Sequence, residues 1–264
     1  MKKAFFIAFI AGLALFSQLL NAGAATTTPG TGALPVMAGN NTCGITASDL
    51  AAIKSIQENS SVNLLNELQW ELATRRSLLS KTILCAEAEA EQTKTDLNNA
   101  TVDPSLENLR NQWSDRLDSA TSYYNLELQK VNETGISGTE LIAQEVLAWR
   151  ESNFAPLAEN VHNFIAWSEN QALFTTAEGR LVQVNNLVTS PLFSESLDVQ
   201  NDYEEAAVSL KAAEDQNALA KNAFAESLSP DQTLLFIKQS LGSLSSTYQY
   251  FFNISSLIQS LLPH

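Results

Sequence analysis

Apolar residues recur three and four positions apart along most of the chain, and this spacing is the signature of amphipathic helices. The first strong stripe after residues 59–61 contains Leu64, Leu68, Leu72, Leu79 and Ile83. No segment alternates between apolar and polar residues over the length of a β-strand. The pattern therefore predicts an all-α fold, an antiparallel bundle of five to seven long amphipathic helices.

Local start and stop signals divide the pattern into helices. Asp103 followed by Pro104 is typical of a helix N-terminus, with the Asp as N-cap and the Pro at the first helical position. The helix that follows has a stripe formed by Leu106, Leu109, Trp113, Leu117, Ala120, Tyr124, Leu128 and Val131. Gly135 and Gly138 predict its end, and Thr139 is the expected cap of the next helix.

That next helix contains a proline, which predicts a kink or break just before Phe154-Ala155-Pro156. The apolar period then continues to Val188 through Leu157, Val161, Phe164, Ile165, Leu173, Leu181, Val184 and Leu187. Ser190-Pro191 predicts its end.

Two further helices complete the bundle. An Ala-rich helix over 198–228 is expected to turn Tyr203, Ala207, Leu210 and Phe224 inward. Ser229-Pro230-Asp231-Gln232 is a second capping sequence, and the last helix runs to about residue 262. Its final 26 residues contain no Asp, Glu, Lys or Arg, but many Ser and Gln side chains argue against a membrane span. Its off-stripe residues Tyr250, Phe252 and Leu257 suggest a core contact or a weak contact with a partner or lipid.

The N-terminus reads as a signal peptide over residues 1–25. Lys2 and Lys3 precede an apolar run, and small residues at Ala22–Ala24 fit a cleavage site. A retained anchor or buried helix is the alternative. Residues 26–45, rich in Thr, Pro and Gly, predict a flexible leader. Residues 46–264 would then form a single all-α domain, with a subdivision near residues 135–138 as the alternative.

Charge narrows the range of partners. The chain of 264 residues has a net charge of −14, and loss of the signal peptide would make it about −16. Such acidity disfavours nucleic acids and anionic membranes, because both are negatively charged. We expect a secreted or periplasmic protein with no transmembrane segment after cleavage. Its oligomeric state stays open.

Export also matters for the two cysteines, because an oxidising compartment favours a Cys43–Cys85 disulfide. One straight helix from Thr46 would place Cys85 roughly 55 Å from its start, far beyond disulfide range. A break near residues 59–61 would form a hairpin with arms of about 31 and 35 Å, which brings the cysteines together. We expect the hairpin, with a continuous helix as the alternative.

The chain offers few candidates for chemistry. Glu159 and His162 have the spacing of a di-iron helix motif, but the second histidine, His264, is terminal. A nucleophilic triad would depend on the same His162, and no Gly-x-Ser-x-Gly sequence is present. Glu87, Glu89 and Glu91 alternate along a helix and suggest a solvated surface. We expect no cofactor and no metal.

Aromatic residues concentrate between Trp149 and Phe174, around Pro156. Trp149, Arg150 and Trp167 are the candidate ligand-binding residues if a kinked helix opens a cleft there. A corner of the core filled by large side chains is the alternative, and it is the interpretation that we favour, because large aromatic residues usually belong to the core.

Taken together, these features predict an exported, non-catalytic helical protein that acts in protein–protein interaction or as an envelope component. A bundle that binds a small ligand or lipid is the alternative, and a helical metalloprotein centred on Glu159 and His162 is a third hypothesis.

Overall fold

The computed structural model describes residues 48, 51–52, 55, 64–191 and 193–261 of the chain. The predicted signal peptide, leader and break near residues 59–61 lie outside the described residues. They stay predictions.

Residues 48, 51–52 and 55 are helical, and the described residues from Leu64 onward form six α-helices. Their bounds are α1 Leu64–Asn99, α2 Glu107–Glu133, α3 Ile136–Trp149, α4 Ala155–Val188, α5 Leu197–Ala225 and α6 Pro230–Leu261. A 3-10 turn, Pro104–Leu106, precedes α2, and a π-helical segment, Arg150–Phe154, joins α3 to α4. No β-strand occurs in the part of the chain that the structure describes. The predicted all-α helical bundle is confirmed.

Local sequence signals predicted two helix starts correctly and one incorrectly. Asp103 is the N-cap, and its side chain accepts a hydrogen bond from the Ser105 backbone N–H at 2.9 Å. Ser229 likewise accepts from the Gln232 backbone N–H at 3.3 Å. The prediction for Thr139 is wrong, because α3 already begins at Ile136 and Thr139 donates its hydroxyl to the Ile136 carbonyl at 2.7 Å.

The chain divides into two compact units. Of the described residues, those up to Asp96 and those in Gln112–Ala158 belong to unit 1, and those in Leu97–Asn111 and from Glu159 onward belong to unit 2. This division does not fall at residues 135–138. Whether residues 46–264 behave as a single domain stays a prediction.

The core of unit 1 differs in part from the predicted stripes. Leu78, Leu79 and Ile83 of α1 are fully buried, as the period predicts. Leu68, however, is 42% exposed, so its assignment to the stripe is wrong. The buried positions in that part of α1 are Glu71 and Arg75, which form an ion pair one turn apart at 2.8 Å.

Unit 2 contains a small-residue interface between α5 and α6. It consists of Ala206, Ala213 and Ala220 on α5 and Thr233, Ser240 and Thr247 on α6, all almost completely buried. Ser240 donates its hydroxyl across this interface to the Ala213 carbonyl at 2.8 Å. A side chain as short as serine reaches a partner backbone only if the two helices approach closely.

The small-residue interface repeats along both helices. Its members lie seven residues apart, which is about two helical turns. The antiparallel register that the Ser240–Ala213 bond sets therefore places Thr233 level with Ala220 and Thr247 level with Ala206. The expectation that Ala207 points inward is off by one residue, since Ala206 is the fully buried one.

Candidate functional site

The π-helical segment lies directly before Pro156. The Ala155 backbone N–H donates to the carbonyl of Arg150, five residues back, which is the π pattern. Pro156 has no N–H to donate, and its ring would clash with a carbonyl four residues earlier in a regular α-helix. Side chains donate to the carbonyls of this turn: the Ser152 hydroxyl to Ala148 at 2.7 Å and the Asn153 amide to Trp149 at 3.1 Å. The helix therefore widens at the proline and continues.

The π-helical segment buries Arg150, one of the residues singled out in the sequence. Its side chain is 10% exposed, and its Nη2 lies 2.9 Å from Oε1 and 2.8 Å from Oε2 of Glu89 on α1. The guanidinium also lies 4.8 Å from the centre of the Phe154 ring. Burial works against the charge of Arg150, but the charges and hydrogen bonds around it, chiefly from Glu89, raise its pKa above the usual value.

Four aromatic rings pack on one another beside the Arg150–Glu89 ion pair, and the Phe154 ring is the one under the guanidinium. Trp149 stacks on Tyr123 with ring centres 4.0 Å apart, and it meets the Tyr124 ring edge-on at 5.5 Å. Tyr124 also contacts Phe154 edge-on at 6.0 Å. Burial is the main cause that raises the pKa of both tyrosines to about 12. We call Glu89, Tyr123, Tyr124, Trp149, Arg150 and Phe154 the Arg150 cluster.

The structure places Trp167 in unit 2. Its indole N–H donates to the Asn217 carbonyl at 3.3 Å, and its ring contacts Phe224 edge-on at 5.8 Å. Asn217 also exchanges side-chain hydrogen bonds with Gln171, at 3.0 and 3.2 Å. Trp167 is thus fixed between α4 and α5 by packing and hydrogen bonds.

A depression lies beside Trp167. Its lining consists of Trp167, Asn170, Phe174, Asn217, Ile237, Ser240 and Leu241, and its empty space is about 150 Å³ including the open side. Small-molecule pockets usually measure about 300–1,000 Å³. The depression is therefore too small for an ordinary organic ligand.

Glu159 and His162 both lie on the exposed surface of α4 in unit 2. In the described part of the chain, no three or more His, Cys, Asp or Glu side chains come together in a way that could hold a metal ion. A carboxylate and an imidazole alone would leave most of a metal's coordination to water. The geometry adds no support to the metalloprotein hypothesis.

Cys85 lies in the middle of α1 and is partly buried. Its expected partner, Cys43, lies outside the described residues. The Cys43–Cys85 disulfide stays a prediction.

The outer face of α6 is a second candidate site. We call it the charge-free face; its exposed residues are Gln239, Gly242, Ser245, Ser246, Gln249, Phe252, Ser256 and Gln259. It lies opposite the buried stripe of α6 that includes Ser240 and Leu244. Phe252 is 70% exposed there. None of the described helices is both long enough and apolar enough to span a bilayer.

Sequence reasoning missed much of the Arg150 cluster. It interpreted Glu89 as solvated surface, whereas the structure pairs this residue with Arg150 and joins its neighbour Glu87 to Asn125 by a hydrogen bond. A signal was present, because Arg150 continues an apolar stripe four residues after Val146. A cation at a core position requires a carboxylate partner, but 61 residues separate Arg150 from Glu89 and no local pattern connects them.

Comparison with known proteins identified no matching family model, no similar curated protein and no similar solved structure.

Proposed function

We propose that this chain is an exported, non-catalytic helical protein that acts by binding another polypeptide through the charge-free face of α6. One observation carries the proposal. Phe252 projects, 70% exposed, from the middle of a face without charged residues, on a chain whose net charge is −14. The centres of protein interfaces are depleted of charged residues and enriched in aromatic ones.

The aromatic region gives less support to the small-ligand alternative. Trp149 stacks on Tyr123, and Arg150 is paired with Glu89. Trp167 contacts Phe224 and borders a depression of about 150 Å³. The large side chains there pack on one another, which is what a structural corner of the core requires.

Export and the disulfide belong to the same proposal. The basic and apolar N-terminus supports secretion, and secretion favours a bridge between Cys43 and Cys85. A bridge closing a loop of this length would stabilise the fold by about 4 kcal/mol. Peptide mapping of the secreted protein without reduction should recover the two cysteine peptides linked; two unmodified thiols would contradict the disulfide.

Site-specific photo-crosslinking tests the binding function. A photoreactive amino acid replaces Phe252 in one variant and Val208 in the control, because Val208 is also an exposed apolar residue, 65% exposed on α5. After irradiation in the producing cells, we expect discrete protein adducts from position 252 and few from position 208. Equal adduct formation at both positions, or none at either, would contradict a binding role for the charge-free face.

A further inference from the structure

We propose that the polypeptide bound by the charge-free face is a second copy of this chain, docked antiparallel about a two-fold axis at Gln249. This inference rests on the proposed function, because it names the partner of the same face. An isologous dimer uses one self-complementary patch on both copies. The charge, symmetry and size of the face each favour this partner.

Charge selects this face over the rest of the surface. Two copies with a net charge of −14 each repel one another over most of their surfaces. After Lys238 the chain has no charged side chain, so α6 offers a long region where two copies meet without opposing carboxylates. A basic partner, in contrast, would gain most by docking on the acidic surfaces elsewhere.

The order of residues on α6 is compatible with two-fold symmetry about Gln249. In an antiparallel pair centred there, Phe252 of one copy lies level with Ser246 of the other, three residues on either side of the axis. Gly242 lies level with Ser256, and Gln239 lies level with Gln259. The residues across the axis nearest to each exposed aromatic ring, Ser245 and Ser246, are therefore small, and the two Gln249 amides can hydrogen-bond to each other.

The surface around Gly242 provides space for the Phe252 ring. Gly242 is exposed, and a Cβ atom added to it would meet no other atom within 4 Å. Ser245 and Ser246 next to it are also small and exposed. A large side chain opposite small residues allows two helices to approach and interlock.

The size of the face predicts a weak dimer. The segment from Gln239 to Ser260 is about 33 Å long, and a helix with its side chains is about 10 Å wide. Two such faces bury less than the ~1,200 Å² of a typical stable complex. We therefore expect reversible dimerisation that depends on protein concentration. Salt should strengthen it by screening the repulsion between the two acidic copies.

Analytical ultracentrifugation of the full mature chain tests the dimer, from micromolar to millimolar concentration. We expect a monomer–dimer equilibrium that shifts toward dimer as salt increases. Phe252→Glu should weaken association at least tenfold, because it brings two further carboxylates into the interface. The matched control Val208→Glu makes the same kind of change at an exposed apolar position on α5 and should dimerise like the unmodified chain. Monomer at all concentrations, or equal loss in both variants, would overturn the proposal.

A cysteine placed at the axis tests the geometry. In Gln249→Cys the two introduced thiols would face each other within disulfide range, so mild oxidation should give a covalent dimer. Val208→Cys should remain monomeric under the same conditions, and the unmodified chain controls for Cys43 and Cys85. Rapid crosslinking at both positions would indicate random collision and overturn the geometry.

The results also separate this inference from the proposed function. Photo-adducts at position 252 with a mass other than twice that of the chain, in a protein that stays monomeric, would overturn the dimer and retain a binding function. Binding of the purified monomer to neutral lipid vesicles, lost in Phe252→Glu, would overturn both. Absence of adducts, dimers and vesicle binding would likewise overturn both.

Discussion

The Arg150 cluster of unit 1 and the small-residue interface of unit 2 fill a helical core in opposite ways. The Arg150 cluster uses large rings around a buried ion pair, in which Arg150 is 9% exposed. The small-residue interface uses Ala, Ser and Thr, and Ser240 reaches the backbone of the facing helix. The Arg150 cluster is stable only if its buried charge has a partner. The small-residue interface is stable only if its side chains stay small. Their sensitivities to mutation should therefore differ in kind.

Removing one partner of the buried ion pair should have the largest effect. Glu89→Gln leaves Arg150 buried without a counter-charge, and we expect a loss of about 3 kcal/mol in the free energy of unfolding. Glu89 is partly exposed, so this is the low end of the range for buried pairs. Urea denaturation measures the loss. Glu91→Gln, on the exposed side of α1, should change stability little.

A double replacement sharpens this test. Glu89→Leu together with Arg150→Met removes both charges and keeps much of the volume, so it should recover most of the stability lost in Glu89→Gln. A double variant that is less stable than Glu89→Gln would show that the ion pair contributes more than the avoidance of an unpaired charge.

Added volume should be the corresponding weakness of the small-residue interface. Ala213→Leu forces three more carbon atoms into a position with no exposed surface, and we expect a loss of about 2–3 kcal/mol. Thermal and urea unfolding measure this loss. Ala212→Leu is the matched control, because Ala212 is the exposed neighbour on the same helix. If both variants are equally stable, α5 and α6 are not closely packed.

High pH should affect the Arg150 cluster through its tyrosines. Burial raises the pKa of Tyr124 from 10.0 to about 12. The protonated phenol therefore stabilises the fold fully below pH 10, and this contribution disappears as the pH rises through 12. We expect up to about 3 kcal/mol of pH-dependent loss from Tyr124, since the shift is about two pKa units and one unit corresponds to about 1.4 kcal/mol.

Urea midpoints measured between pH 9 and 12 test this prediction. Tyr124→Phe should reduce the pH dependence, and tyrosinate absorbance should show one late-titrating group fewer than in the unmodified chain, because Tyr123 also titrates late. Tyr203→Phe in unit 2 is the control. An unchanged slope in Tyr124→Phe would contradict the assignment.

The smallest effect should come from an ion pair near the surface of unit 2. Lys221 lies 2.7 Å from Asp103, and both side chains are about a third exposed. Hydrogen bonds from Lys221 and Ser105 lower the pKa of Asp103 from 3.8 to about 2. The stability from this carboxylate is therefore present above pH 3.8 and is lost as the pH falls through 2.

Because solvent screens the Lys221–Asp103 pair, Asp103→Asn should cost about 0.5 kcal/mol at neutral pH. The variant should also lose less stability than the unmodified chain between pH 4 and 2. Asp115→Asn, at an exposed site on α2, is the control. If Asp103→Asn lowered the free energy of unfolding as much as Glu89→Gln, the expected difference between buried and exposed ion pairs would be wrong.

Sequence reasoning succeeded at two helix starts, failed at the Thr139 start, and was least successful at deciding which of two neighbouring apolar residues is buried. Asp103 and Ser229 cap helices as predicted, because capping depends on residues three or fewer positions apart. Leu173 and Leu187 were placed inward but are 43% and 46% exposed, while their neighbours Phe174 and Val188 are buried. A drift of one residue turns a side chain by about 100° around the helix, and apolar neighbours do not reveal which of them faces the core.

The candidate sites also contain one feature that the sequence predicted and several contacts that it did not. Phe252 was recognised in the sequence as lying off the main apolar stripe, because its angle around α6 follows from its position. The contacts of Trp149 with Tyr123, and of Trp167 with Asn217, could not be read from the chain. These pairs belong to different helices, and their meeting depends on how those helices pack.

The sequence alone determined the all-α class, the main helices and the absence of charged side chains from the last helix after Lys238. These properties follow from apolar periodicity, capping residues and composition, all of which are local. Only the tertiary structure decided that Pro156 widens the helix into a π turn, that Arg150 pairs with Glu89, and that Ser240 reaches Ala213. Each depends on the packing of several helices or on backbone geometry that many sequences share. The order of apolar and polar residues along the chain does not by itself specify the distances between helices.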